Sequence, residues 1–159
     1  MKTLLQNKIT TNNEFMFMKD ILQLDLKMIK LKLQDKEEGQ GWTSEMCNSA
    51  EVEYKRFLAL KRHYPEKDIV PNGVVDKFWH QHILDTMKYA EDCQELFGYF
   101  LHHFPYFGMN GKQDAQNLTD AFEETKDLYK KHFGEDYIGF AKRCKAPKCR
   151  TQCKPMKCK

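Results

Sequence analysis

The sequence lacks any long run of apolar residues. No stretch approaches the roughly 20 consecutive apolar residues that a membrane-spanning helix needs. The first 15 residues contain neither a continuous apolar segment nor a small-residue cleavage site of the kind found in secretory signals. We therefore expect a cytoplasmic protein whose six cysteines stay reduced, although export by another route would leave no such signal.

Several motifs that would indicate a reaction are also missing. The chain has no HExxH sequence, no glycine-rich phosphate loop, and no cysteine–histidine pair at the spacing typical of a protease. No nucleophile is adjacent to His80 or His82, the two histidines that could serve as general acid or base. The sequence therefore favours a non-enzymatic role and identifies no catalytic residue.

What the sequence does contain is enough apolar and aromatic material for one packed domain. Of its 159 residues 41% are hydrophobic and 13% aromatic, and a chain of this length buries about two-thirds of its unfolded surface. Residues 142–159 contain eight Lys or Arg and no acid, which leaves a net charge of about −5 on residues 1–141. We predict one helical domain over 1–141 and a basic tail over 142–159.

Apolar residues recur every three or four positions in four segments, and this spacing predicts amphipathic helices. The predicted helices cover residues 19–37, 49–63, 74–97 and 115–133. Part of the first segment also alternates like a strand, but its length favours a helix. The fold class predicted is all-α, a compact bundle of about four main helices with an aromatic loop before the last one.

Three residues are predicted to mark helix ends. Asp114 can cap the start of the fourth helix with its carboxylate. Gly98 and Gly134 follow the third and fourth helices, where glycine readily adopts the left-handed conformation that ends a helix.

Four of the six histidines lie within residues 80–103. On a continuous helix His80 and His82 are about 200° apart, so they leave on opposite sides and cannot bind one ion together. His82 lies on the apolar face, whereas His80 shares a side with Asp76, one turn earlier.

A zinc ion needs about four ligands near 2 Å, usually from separate elements of the fold. Asp85 lies three residues after His82, and His102 and His103 follow the end of the third helix. If the chain turns back, His82, Asp85 and one of these two histidines could meet. We therefore predict a zinc site here, with Asp76 and His80 as the competing half-site.

Three alternatives to a purely metal-binding role remain open. In the first, the histidines are hydrogen-bonded structural residues. In the second, the domain is a metal-free interaction module. Its protein partner would then bind the aromatic loop Phe104–Phe107, and the basic tail would attract anionic partners nonspecifically. The third is a metal-dependent hydrolase, which would require an open coordination position and a pocket.

The tail carries four cysteines at the spacing C-x4-C-x3-C-x4-C, namely Cys144, Cys149, Cys153 and Cys158. Structural zinc sites usually contain C-x2-C turns, so this is a weak zinc signature. Two prolines and the absence of apolar periodicity favour a disordered tail. Disorder, binding of a soft metal and disulfide formation are all compatible with the pattern.

One long stretch resembles a known family. The motif is Val75-Asp76-x-x-Trp79-His80-x-His82-Ile83-Leu84-Asp85-Thr86-x-x-Tyr89-x-x-Asp92-Cys93-x-x-x-Phe97-Gly98, then Leu101-His102-His103-x-Pro105. It is similar to the glycine-rich domain-containing protein-like family, known mostly from plants, and suggests a short bacterial-type member. The chain lacks the glycine-rich and RNA-binding parts of the plant proteins. The resemblance covers about residues 20–135 and implies a helical domain centred on Trp79, His80, His82, Tyr89 and Cys93, with no reaction assigned.

Overall fold

The computed structural model describes residues 18–139. Five helices of eight or more residues lie in this range: α1 (Lys27–Gln34), α2 (Ser44–His63), α3 (Gly73–Leu84), α4 (Thr86–Phe97) and α5 (Gly111–Phe133). Residues 18–22 are also helical, and no residue from 18 to 139 lies in a strand. The all-α prediction is confirmed for this part of the chain. No helix in it is long and apolar enough to cross a membrane.

Helix α2 lies at the centre of the packing. It contacts α1, α3 and α5, while α3 also contacts α1 and α4. Rings from α2 and α3 interleave: Tyr54 packs 4.9 Å from Phe78, and Phe57 packs 5.1 Å from Trp79, between ring centroids. The α2–α3 interface is therefore an aromatic core, and it fixes the positions of the polar residues on α3.

The prediction of one continuous first helix over 19–37 is wrong. The helical segment 18–22 ends in a turn in which the amide of Gln23 donates to the carbonyl of Asp20. The carboxylate of Asp25 then accepts from the amide of Lys27, where α1 begins. The break allows both Leu24 and Leu26 to be buried.

The predicted third helix, 74–97, is two helices separated at Asp85. The backbone of Asp85 (φ −81°, ψ 73°) is not helical, and this residue ends α3 and begins α4. Neither glycine nor proline is present at the break. Aspartate followed by threonine favours a helix end over a helix interior. Packing of α4 against α3 provides the remaining stabilisation of the break.

The last helix begins at Gly111, four residues earlier than predicted. Asp114 lies within its first turn, and its carboxylate accepts from the amides of Gly108 and Asn110 at 2.7 and 3.1 Å. It therefore fixes the preceding loop and does not cap the helix. Gly98 and Gly134 end α4 and α5 with φ of 74° and 68°, as predicted.

Candidate metal centre

The break at Asp85 brings His82 on α3 against Asp92 on α4. On a continuous helix ten residues would separate them by about 15 Å, but His82 Nε2 lies 2.8 Å from Asp92 Oδ2. Its other nitrogen, Nδ1, lies 2.8 Å from the hydroxyl of Tyr54 on α2. His82 is 1% exposed, so this bonded trio joins three helices inside the core.

The protonation states of this trio follow from its burial. Burial lowers the pKa of His82, opposed by its hydrogen bond to Asp92, and burial raises the pKa of Tyr54 well above its ordinary value. Both groups are therefore neutral near pH 7. This assigns the hydroxyl of Tyr54 as donor to Nδ1, and Nε2–H as donor to Asp92. The ammonium of Lys88, 2.9 Å away, pairs with the same carboxylate.

A second buried chain of hydrogen bonds holds the loop that follows α4. The indole N–H of Trp79 donates to the hydroxyl of Tyr89 at 2.8 Å, and that hydroxyl donates to the carbonyl of Leu101 at 2.6 Å. The loop is thereby tied against α3 two residues before His103. The ring of His103 then packs 4.6 Å from the ring of Trp79.

This loop places His103 beside Asp76 and His80, one turn apart on α3. His103 Nε2 lies 3.1 Å from His80 Nε2 and 3.2 Å from Asp76 Oδ1, while His80 Nδ1 lies 3.7 Å from Asp76 Oδ2. One ligand atom from each residue fits within 4.8 Å of the other two. We call these three residues the His–Asp cluster. It is the one group of three or more potential ligands at such distances within residues 18–139.

The surroundings of the His–Asp cluster suit a cation. The side chains of Asp76 and His103 are 9% and 11% exposed, whereas that of His80 is 41% exposed. Two of the three potential ligands are thus held by packing, and one side of the cluster is open to solvent. Asp76 also lies in the first turn of α3, where the helix dipole favours an ionised carboxylate.

The structure separates residues that the sequence analysis grouped together. The two ring nitrogens of His82 bond Tyr54 and Asp92, so they do not turn towards Asp85 or a loop histidine. Asp85 is exposed at the helix break. His102 is also exposed, and its ring packs 5.0 Å from that of Phe100. The predicted trio of His82, Asp85 and a loop histidine is therefore not assembled, whereas His103 completes the competing half-site.

The tail cysteines Cys144, Cys149, Cys153 and Cys158 lie outside the described residues, so their role stays a prediction. Within residues 18–139, Cys47 and Cys93 are both buried free thiols. Burial raises the pKa of each thiol above its ordinary value. A thiol held in its protonated form is a poor nucleophile, so neither of these two cysteines has the properties of a catalytic one.

A cavity of about 310 Å³ adjoins the His–Asp cluster and shares His103 with it. Trp79, Ile69 and Val70 form buried parts of its wall, and the exposed residues His102 and Phe104 lie at its surface. The lining contains one lysine, Lys61, and one acidic residue, Asp68. A cavity next to three potential ligands is the arrangement that a ligand-binding or reactive metal site needs.

Sequence reasoning did not identify Tyr54 and Asp92 as site residues. Asp92 reaches His82 through the break at Asp85, which periodicity over 74–97 conceals. Tyr54 reaches it through the packing of α2 against α3, a long-range contact that leaves no local pattern. Asp76 and His80 were visible, because a spacing of four residues places two side chains on one face of a helix.

These features define a domain that is all-helical over residues 18–139, with a buried Tyr–His–Asp trio and a partly exposed His–Asp cluster. Its sequence matches the model of the UCP032817-like family over residues 26–125, and the chain belongs to that family. The predicted membership of the glycine-rich domain-containing protein-like family is therefore wrong. The residues behind that resemblance, such as Trp79, His82 and Tyr89, form the packed core, and core contacts alone discriminate poorly between families. No curated protein and no solved structure matches the chain.

Proposed function

We propose that this protein is a metal-binding helical domain that holds a zinc ion between Asp76, His80 and His103. The observation that carries the proposal is the convergence of three ligand atoms from two separate parts of the chain. Two of the three side chains are largely buried. If these positions only filled space in the fold, apolar side chains would serve, and two imidazoles and a carboxylate would not be needed together.

The donor set and its spacing both support zinc. Ligand atoms bound to tetrahedral zinc at about 2.0–2.2 Å lie about 3.3–3.6 Å from one another. The separations of 3.1 and 3.2 Å from His103 Nε2 to its two neighbours are slightly shorter, so small side-chain shifts would admit the ion. Two imidazoles and one carboxylate also suit iron(II), so the metal must be identified by analysis.

A second candidate function, a metal-dependent hydrolase, is favoured by the openness of the cluster. Three protein ligands leave a position for water, and zinc lowers the pKa of such a water to about 7. The exposed side of His80 and the cavity at His103 provide access for solvent and for a small molecule.

The test is the metal content of full-length protein purified without a histidine tag. Because tail thiolates could add zinc, the measurement uses a variant with Cys144, Cys149, Cys153 and Cys158 all changed to serine. We expect close to one zinc per chain after zinc loading and removal of excess metal. His103→Ala should abolish most of it, while His102→Ala, at the neighbouring exposed position, should not.

Two results would oppose the proposal. Fewer than about 0.1 zinc ions per chain would mean that the His–Asp cluster is only hydrogen-bonded. Equal zinc content in the His103→Ala and His102→Ala variants would place the ion elsewhere.

A further inference from the structure

The cavity contains a lysine whose surroundings are unusually apolar. The ammonium nitrogen of Lys61 lies 5.9 Å from the ring centroid of Phe57 and 5.9 Å from that of Trp79. The lysine is half-buried, and the Trp79 ring against it is 3% exposed. Lys61 thus places a positive charge against two aromatic faces on the inner side of the cavity.

The partial burial of the Lys61 ammonium favours an anionic ligand. Burial lowers the pKa of Lys61, and the carboxylate of Asp68 opposes this effect. A partly buried ammonium has lost some of its hydrogen bonds to water, and an anion bound in the cavity would replace those hydrogen bonds. Asp68 is exposed, so water and salt screen its charge more than they screen that of Lys61.

The rest of the lining indicates the shape of the ligand. The apolar part of the cavity wall is formed by Ile69, Val70, Phe107 and Leu118, and Trp79 adds an aromatic surface. Ligand pockets usually have volumes of about 300–1,000 Å³, so a cavity of about 310 Å³ suits a small molecule. A flat apolar body with one charged end would satisfy both the walls and the lysine.

We propose that this cavity is a binding site for a small organic anion, with its negative end at Lys61 and its flat apolar body between Trp79, Phe107 and Leu118. The site shares His103 with the His–Asp cluster but needs no metal. It would give the protein a ligand whether or not the cluster binds zinc.

The experiment measures binding of benzoate to the full-length protein in EDTA by two-dimensional NMR. Trp79 and Trp42 are the two tryptophans of the chain, so Trp42→Phe assigns the Trp79 indole signal. Benzamidine provides the same ring with a positive charge, and acetate provides the carboxylate without the ring. We expect benzoate to shift the Trp79 signal and to bind at least about tenfold more tightly than either control.

Substitutions then test the role of the charge. Lys61→Met keeps the length of the side chain and removes a desolvated ammonium, so folding should be retained. It should weaken benzoate binding about tenfold or more, whereas Lys61→Arg should retain most of it. Lys27→Met, at an exposed position on α1, is the matched control and should have no effect.

The proposal would be overturned by absence of a benzoate shift at Trp79, by equal binding of benzamidine, or by unchanged binding in Lys61→Met. Equal binding of acetate would contradict the apolar part of the site. Because EDTA is present throughout, none of these outcomes depends on the zinc proposal.

Discussion

The side chain of His82 bonds Asp92 at 2.8 Å across the break at Asp85, with Tyr54 at 2.8 Å on its other nitrogen. This arrangement fixes how α4 folds back on α3. It also determines where the loop after α4 begins, and therefore where His103 lies relative to α3.

Removing the Tyr54 hydroxyl should destabilise the protein, because Tyr54→Phe leaves a buried nitrogen of His82 without its donor. We expect a loss of about 1–3 kcal/mol in the free energy of unfolding, measured by urea denaturation. Tyr64→Phe is the matched control. Tyr64 bonds His132 at the same 2.8 Å, but at a partly buried site where water can replace the hydroxyl, so its loss should stay below about 1 kcal/mol. Similar losses for the two variants would contradict a structural role for the buried trio.

Stability should fall as the solution is made mildly acidic. Burial lowers the pKa of His82 below its ordinary value of 6.5, and the pKa of His132 is lowered for the same reason. The unfolded chain then binds protons before the folded protein does, so stability is complete above about pH 6.5 and decreases as the pH falls below it. Most carboxylates titrate lower, below about pH 4.5.

This pH dependence can be measured by urea denaturation between about pH 7.5 and 5.5, with EDTA present to remove any metal effect. His132→Gln should remove only part of the slope, since His82 remains. A constant unfolding free energy would show that burial does not shift the pKa of these histidines, and one that increases towards pH 5.5 would show that the folded protein binds protons more tightly than the unfolded chain. Either result would contradict the lowered pKa values.

The sequence predicted the helical class, two helix ends and the Asp76–His80 pair, because each depends on residues close together in the chain. Gly98 and Gly134 end helices through their own backbone freedom. The position of His103 depends instead on Tyr89 bonding the carbonyl of Leu101. The break at Asp85 is likewise decided by tertiary packing, since apolar periodicity continues across it. Long-range contacts of this kind leave no local pattern.

The turn that leads into α5 should be sensitive to any added side chain. Gly108 has φ of +83°, and a Cβ there would lie 2.5 Å from Cδ2 of Leu118, which lines the cavity. Gly108→Ala therefore combines backbone strain of about 1–2 kcal/mol with displacement of Leu118. Gly134→Ala carries a similar strain at φ +68° without any atom within 4 Å. Gly108→Ala should be clearly the less stable variant in urea denaturation, and equal stability would contradict the close packing described.

Zinc should stabilise the folded protein if the His–Asp cluster binds it. A ligand at 100 times its Kd adds about 2.7 kcal/mol, so the melting temperature should rise on zinc addition and fall with EDTA. His80→Ala should abolish this shift. Tyr106→Ala, which removes a side chain that is 63% exposed in the aromatic loop, should leave it intact. A shift retained in His80→Ala would show that the stabilising zinc binds outside the His–Asp cluster and would contradict the proposed site.

The most direct test is an anomalous difference map from zinc-loaded crystals, recorded on both sides of the zinc absorption edge. We expect a peak within about 2.0–2.2 Å of ligand atoms from Asp76, His80 and His103. Zinc peaks only at other residues, or no peak after loading, would refute the proposed site.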